Sequence, residues 1–247
     1  GTHVALLSPN STDAVAAFFG ILEAGCVAVS IAGDLTGEQL LRVLNHSECA
    51  AVVADARLFR RIRSAFAAAP AVRTVITVGD TQRTPGAAAG AGPEVSFEGF
   101  RVLSLAAWEN DGLARNTPVR TIDIDLAAII YTSGSTGAPK GVMLSHLNLV
   151  SNMRSIVEYL GLQGSDSVMM ILPHHYIYGL SLLLTHALVG GTVVMDNRFA
   201  YPDTVLENMV ETEVTGFAGV PSTFSILLSR SRTSGMSFPA LRYVTQA

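Results

Sequence analysis

Residues 126–141 read L-A-A-I-I-Y-T-S-G-S-T-G-A-P-K-G, and this stretch decides the fold. Its first part, Leu126 to Tyr131, is short, apolar and followed by a turn-forming run, the pattern of a buried strand. The rest brings together the hydroxyls of Thr132, Ser133, Ser135 and Thr136, three glycines and Lys140. A strand ending in such a turn sets many N–H and O–H donors at the carboxyl edge of its sheet, where open α/β sheets bind ligands. Gly134 and Gly137 let the chain turn tightly and let a ligand approach the backbone. The loop is thereby suited to phosphate oxygens, and Lys140 adds a movable positive charge.

The spacing excludes the common P-loop, in which four residues separate a glycine from Gly-Lys-Ser/Thr and the loop opens a helix. Here Pro139 precedes the lysine and Gly141 follows it, so a helix does not start there. A Ser/Gly-rich surface turn without a ligand is the plain alternative, and it suits a loose cluster better than this ordered string. Tyr131 to Gly141, continued by Val142-Met143-Leu144-Ser145-His146, resembles the phosphate-binding loop of the adenylate-forming superfamily. That superfamily contains acyl- and aryl-CoA synthetases, acyl-AMP ligases, peptide-synthetase adenylation domains and luciferases.

Composition is consistent with an α/β protein. The 247 residues are 49% hydrophobic and 15% charged, enough for one large domain or two small ones. A net charge of −4 offers no basic field for nucleic acid. Two cysteines, Cys26 and Cys49, do not make a disulfide framework, so a reducing cytoplasm is the expected location. Ser167 to Met195 lacks Asp, Glu, Lys and Arg over about the length of a spanning helix. Pro173-His174-His175 and Gly190-Gly191 interrupt it, and it reads as strand, loop, buried helix and strand rather than a membrane span.

Outward from the loop, strands and helices alternate. Strands are expected at Val4–Leu7, Cys26–Ile31, Ala50–Ala54 and Arg73–Val78. Helices fall between them: one from Ser11 or Thr12 to Ala24 with a stripe of Val15, Phe18, Phe19 and Leu22, one over Thr36–Asn45 and one over Arg57–Ala69. The alternation marks an α/β fold with largely parallel sheets flanked by helices. Thr84 to Pro93 reads as a surface loop, Leu103 to Glu109 as a short helix, and Asp123 and Asp125 as solvated residues at a strand entrance. A helix over 146–160 carries Leu147, Val150, Met153, Val157 and Leu160 as its stripe. A strand at Val168–Leu172, a helix at Leu180–Val189, a strand at Thr192–Met195, a helix at Pro202–Glu211, a helix at Phe224–Ser229 and a strand at Leu241–Thr245 follow.

Two further stretches carry the resemblance. Pro173-His174-His175-Tyr176-Ile177-Tyr178-Gly179 is similar to a superfamily segment of Pro, an aromatic, His and a later Gly that closes the acyl pocket. Aligned on Pro173 and Gly179, Tyr176 takes the gate position with the histidines just before it, a departure from the family pattern that leaves open which side chain, if any, forms the gate. The histidine pair does not read as a metal site, because neighbours on an extended segment point to opposite faces and no further ligand lies at useful spacing. Gly216 to Thr223 resembles the segment lining the acyl tunnel, which assigns Gly219, Val220 and Pro221 to the acyl pocket; a plain strand–turn–helix junction is the alternative.

The resemblance implies an incomplete N-terminal domain of the acyl-CoA synthetase-like fold over residues 1–247, with a subdomain break near 80–100. The family's small C-terminal domain, magnesium-binding glutamate and catalytic lysine motifs find no match. It implies ATP-dependent activation of a carboxylic acid to an acyl-adenylate, then transfer to CoA or to the phosphopantetheine of an acyl carrier protein, with Mg2+ as cofactor. Thr132, Ser133, Gly134, Ser135, Thr136 and Gly137 would hold the β- and γ-phosphates, with Lys140 contributing charge less directly; no catalytic or metal residue is assigned. No carboxylate between Ser167 and Met195 is at hand to pair with an α-ammonium, which points to a fatty or aryl acid. As a truncated piece, the chain is expected not to turn over alone and to leave apolar surface exposed near residues 215–247. A non-catalytic nucleotide- or acyl-binding module and a phosphotransferase are the rival readings.

Overall fold

The computed structural model describes residues 1–79, 94–97, 99–105, 119–132 and 139–247. They fall into two compact units, Gly1–Leu147 and Asn148–Ala247. The expected surface loop at Thr84–Pro93 lies outside the described residues.

The first unit holds β1 (His3–Leu7), α1 (Thr12–Glu23), β2 (Val27–Ser30), α2 (Gly37–His46), β3 (Ala51–Asp55) and α3 (Ala56–Ala67). It continues with β4 (Thr74–Val78), β5 (Glu94–Phe97), β6 (Phe100–Ser104), β7 (Leu126–Thr132) and β8 (Lys140–Ser145). These make one eight-stranded sheet in the order β5-β6-β4-β3-β1-β2-β7-β8. The pairings are parallel except the hairpins β5–β6 and β7–β8. Each helix start is satisfied by a side chain, which removes orphan N–H donors. Ser11 accepts from the Ala14 amide, Thr36 and Gln39 form a capping box, and Asp55 accepts from the amides of Arg57 and Leu58. The core is aliphatic and aromatic, with Leu7, Val29, Leu44, Val52, Phe59 and Phe66 fully enclosed.

Two expectations need correction here, and one element was not foreseen. The buried face of α1 is Ala14, Phe18 and Ile21, while Phe19 is 40% exposed, so the stripe is turned by about one residue, with a small side chain at 14 taking the buried place expected for Val15. Leu103 belongs to β6, so the helix expected from it begins later, with Leu105 helical, and 106–109 lie outside the described residues. Residues 140–145 form a strand that returns antiparallel to β7, a hairpin that the apolar pattern did not single out.

In the chain's second part, α4 (His146–Leu160), β9 (Ser167–Met170), α5 (Ile177–Val189), β10 (Thr192–Met195), α6 (Pro202–Glu211), β11 (Gly216–Gly219), α7 (Pro221–Arg230) and β12 (Tyr243–Gln246) follow. The first two amides of α4 donate to the carbonyls of Asp125 and Asp123. Of its expected stripe, Leu147 is exposed and Leu149 is the buried residue. The four strands are all parallel, in the order β10-β9-β11-β12, so their carboxyl ends share one edge. Gly190, at φ 73°, adopts the left-handed conformation that ends α5. No helix among the described residues is long and apolar enough to cross a membrane. Leu228 and Val244 are exposed, so apolar surface is present within residues 215–247.

Candidate functional site

The loop that the sequence singles out is the connection of the β7–β8 hairpin. β7 lies beside the parallel strand β2, and its last residue, Thr132, is paired with Lys140, the first of β8. Lys140 is exposed. Ser133, Gly134, Ser135, Thr136 and Gly137 lie outside the described residues. The lysine stands in a strand and not in the first turn of a helix, which agrees with the exclusion of a P-loop.

The base of the hairpin is tightly built. Tyr131 pairs with Gly141, and a Cβ on that glycine would stand 2.7 Å from Ile129 Cγ2 and 3.3 Å from Tyr131 Cζ. Ile129 is stiff at χ1 and buried, so only glycine fits beneath the phenol ring. The Tyr131 hydroxyl lies 2.7 Å from Nδ1 of His46, the last residue of α2, with the rings edge to face at 5.8 Å. Ser47 donates to the Val43 carbonyl at 2.7 Å and lies 3.1 Å from Cys49 Sγ. Burial pushes the Tyr131 phenol up and the Cys49 thiol up to about 11. The His46–Tyr131 contact spans 85 residues, and no local pattern signals it.

The residues assigned to the acyl pocket stand at the carboxyl edge of the second sheet. Pro173 to Tyr176 follows β9, and Gly219 to Pro221 follows its neighbour β11. Tyr176 is the residue before α5 and is 45% exposed; its amide donates to the Pro173 carbonyl at 3.0 Å. His174 is buried and His175 half-buried, their rings edge to face at 6.1 Å. A Cβ on Gly179 would stand 2.2 Å from the Pro173 carbonyl oxygen, so α5 rests directly on this turn. Gly219 is buried, and a Cβ there would meet Thr223 Cγ2 at 2.7 Å. The Val220 amide donates to Thr223 Oγ1 at 3.2 Å. Helix α7 opens at Pro221 and not at Phe224, because proline suits the first helical position. Val220, Tyr178 and Leu172 pack in one apolar cluster with Val168, Leu182 and Ala218. Thus Gly219 and Val220 sit one strand from the Pro173 turn, while Tyr176 itself faces outward.

Polar links the sequence did not reveal tie this sheet together, one at its carboxyl edge and the others at the amino ends of its strands. Tyr178 and Thr245 hydroxyls lie 2.6 Å apart, joining α5 to β12. Burial raises the Tyr178 phenol, with the Thr245 bond opposing. His186 donates from Nδ1 to the Leu182 carbonyl at 2.8 Å, so its Nε2 is free to accept from Tyr243 O–H at 2.9 Å. Burial lowers the His186 pKa and raises that of Tyr243. The Tyr243 ring occupies the place of a Cβ on Gly216. Asp166 accepts from Nε and Nη2 of Arg242, both at 2.8 Å, and from Thr215 Oγ1 and the Gln163 amide. Burial works to raise that carboxyl, but these donors hold it below its ordinary value. Asp123 and Asp125 are exposed, and among the described residues no group of three or more His, Cys, Asp or Glu is placed to hold a metal ion.

The profile of the AMP-binding enzyme family matches residues 1–246, and the chain belongs to that family. It is 34% identical over 202 residues to the "4-coumarate--CoA ligase-like 9" of Oryza sativa subsp. japonica, covering 80% of this chain and 33% of that protein. It is 29% identical over 245 residues to "Tyrocidine synthase 3" of Brevibacillus parabrevis, covering 98% of this chain and 3% of that protein. The ATP-bound MatB crystal structure from Rhodopseudomonas palustris superposes with a TM-score of 0.76 at 26% identity, over 100% of this chain and 44% of that one. The chain therefore spans less than half the length of these relatives.

Proposed function

We propose that this chain supplies the phosphate- and acid-binding part of a ligase that joins a carboxylic acid to AMP and then passes the acyl group to a thiol. The observation that carries the reading is the hairpin: a glycine- and hydroxyl-rich connection leaves the carboxyl end of β7 and returns at exposed Lys140. Family membership and relatives whose names include a CoA ligase-like protein and an ATP-bound enzyme support it. The acid's carboxylate attacks the α-phosphorus of ATP; the new P–O bond forms as the bond to pyrophosphate breaks. This chain's part is positioning and charge neutralisation. Thr132 to Gly137 hold the β- and γ-phosphates, and Lys140 adds its charge. Each charge-assisted hydrogen bond contributes about 1.5–3 kcal/mol, so several hold a triphosphate. Magnesium accompanies the phosphates as part of the nucleotide.

Tyr176, Gly219, Val220 and Pro221 form the wall against which the acid lies. The acid is fatty or aryl and not an α-amino acid, because the segment 167–195 carries no carboxylate to meet an ammonium. The acceptor is CoA or a carrier protein's phosphopantetheine. Residues 1–247 by themselves bind nucleotide without turnover, since they contain no match to the family's magnesium and catalytic-lysine motifs. The test is a panel of carboxylic acids given to the protein encoded by the complete gene, scored by nucleotide product. Acid-dependent AMP release supports the reading. ADP indicates a phosphotransferase, and binding without any product indicates a module that only holds its ligand.

A further inference from the structure

We propose that His46 and Tyr131 clamp the base of the β7–β8 hairpin and act as positioning residues for Lys140, an inference that rests on the nucleotide-binding role given to that hairpin above. β8 is the last strand of its sheet, and its residues Val142 and Met143 are exposed, Met143 by 70%. Among the described residues no strand supports β8 on its outer side, so its first residues are held by what reaches them from β7. The Tyr131 ring does so, lying against Gly141 where that glycine has no side chain. Its hydroxyl then reaches back to His46. α2 is anchored in turn by Leu40, Val43 and Leu44 in the core, and the residue after it, Ser47, offers its carbonyl to His3 Nδ1 at 2.5 Å. A line of contacts thus runs from a core helix, through one phenol, to the residue beside Lys140.

The chemistry of the pair makes the clamp durable. With Nδ1 unprotonated the phenol O–H donates to it; with Nδ1 protonated the N–H donates to the phenol oxygen, so the link holds in either form. An asparagine at 46 likewise carries both a donor and an acceptor, whereas alanine carries neither. Phenylalanine at 131 keeps the ring over Gly141 and loses the link to α2. These substitutions separate the hydrogen bond from the packing.

The test measures amide hydrogen exchange at residues 131–132 and 140–141, together with ATP affinity, in the wild type, His46→Ala, His46→Asn and Tyr131→Phe. Exchange at the hairpin base should be about fivefold faster in His46→Ala and Tyr131→Phe, the size expected for one ordinary hydrogen bond. Amides of β1 to β4 should be unchanged, His46→Asn should stay near the wild type, and the ATP dissociation constant should rise by a similar factor in the two impaired variants. Gly141→Ala should give the same local acceleration by displacing the ring from the other side. Unchanged exchange at 131–132 and 140–141 overturns the clamp, as does acceleration spread evenly over the first sheet. A wild type that shows no ATP binding overturns the nucleotide reading instead, and the exchange pattern still decides the clamp.

Discussion

The two units bury different kinds of polar group. Among the described residues, those enclosed in the first are neutral: Ser8, Asn10, Ser30, Ser47 and Thr77. The second encloses Asp166, His174, His186 and Asp196 beside Thr185 and Thr223. The difference follows from how each sheet is held. Eight strands with helices packed on them enclose a broad apolar core, and burial of that area is the main stabilising term. Four strands of four residues each enclose less, and there charged links tie strand ends to one another and to α6. Asp196 accepts from Arg198 and Asn208, and its pKa is held at about 2, chiefly by the Arg198 hydrogen bond. The first unit should therefore respond to lost volume, and the second to lost charge and to acid.

The largest expected effect sharpens the first half of that contrast. Phe18→Ala removes a ring that is 1% exposed, and should cost about 3–5 kcal/mol of stability in urea unfolding. Its cost should be the same at pH 8 and pH 5. Next comes Gly179→Ala, whose methyl would collide with the Pro173 carbonyl; about 3 kcal/mol is expected, confined to the second unit in hydrogen-exchange profiles. Loss spread over both units would break the contrast.

Acid should act on the second unit first. His186 has a lowered pKa, so the unfolded chain takes up its proton at higher pH than the folded one. Its contribution is present above the ordinary value of 6.5 and is lost as pH falls from there through the folded value. Asp166 and Asp196 are also lowered, so their contributions are lost as pH falls from 3.8, in the case of Asp196 down to about 2. Two acid steps in second-unit protection, the lower one reduced by Asp196→Asn, are expected. The smallest effect is Phe19→Ala, about 1–2 kcal/mol, since that ring is 40% exposed and packs edge to face on Phe18. A cost near that of Phe18→Ala would restore the stripe the sequence implied.

Local chemistry was readable where one residue type decides the matter. Ser11, Thr36 and Pro202 mark helix starts because capping and N1 preferences are short-range. The strand at Leu126 was legible from its apolar run, and its loop from three glycines and four hydroxyls. β8 was hidden because V-M-L alternates neither in nor out; its flanks are exposed on both faces. The partners of Tyr131, His186 and Asp166 lie 85, 57 and 76 residues away, distances over which a single sequence carries no pairing signal. The need for glycine at 216 comes from the Tyr243 ring lying over it, a contact across strands that no local pattern marks.

The claim on which the functional account stands is that the hairpin after β7 grips a nucleotide's phosphates. Hydrogen exchange of segments covering 131–141, with and without Mg-ATP, tests it most directly. The account predicts nucleotide-dependent protection centred on 132–140 and weakened by Lys140→Ala. Binding of ATP that leaves those amides unprotected, or protects residues elsewhere in their place, would contradict it.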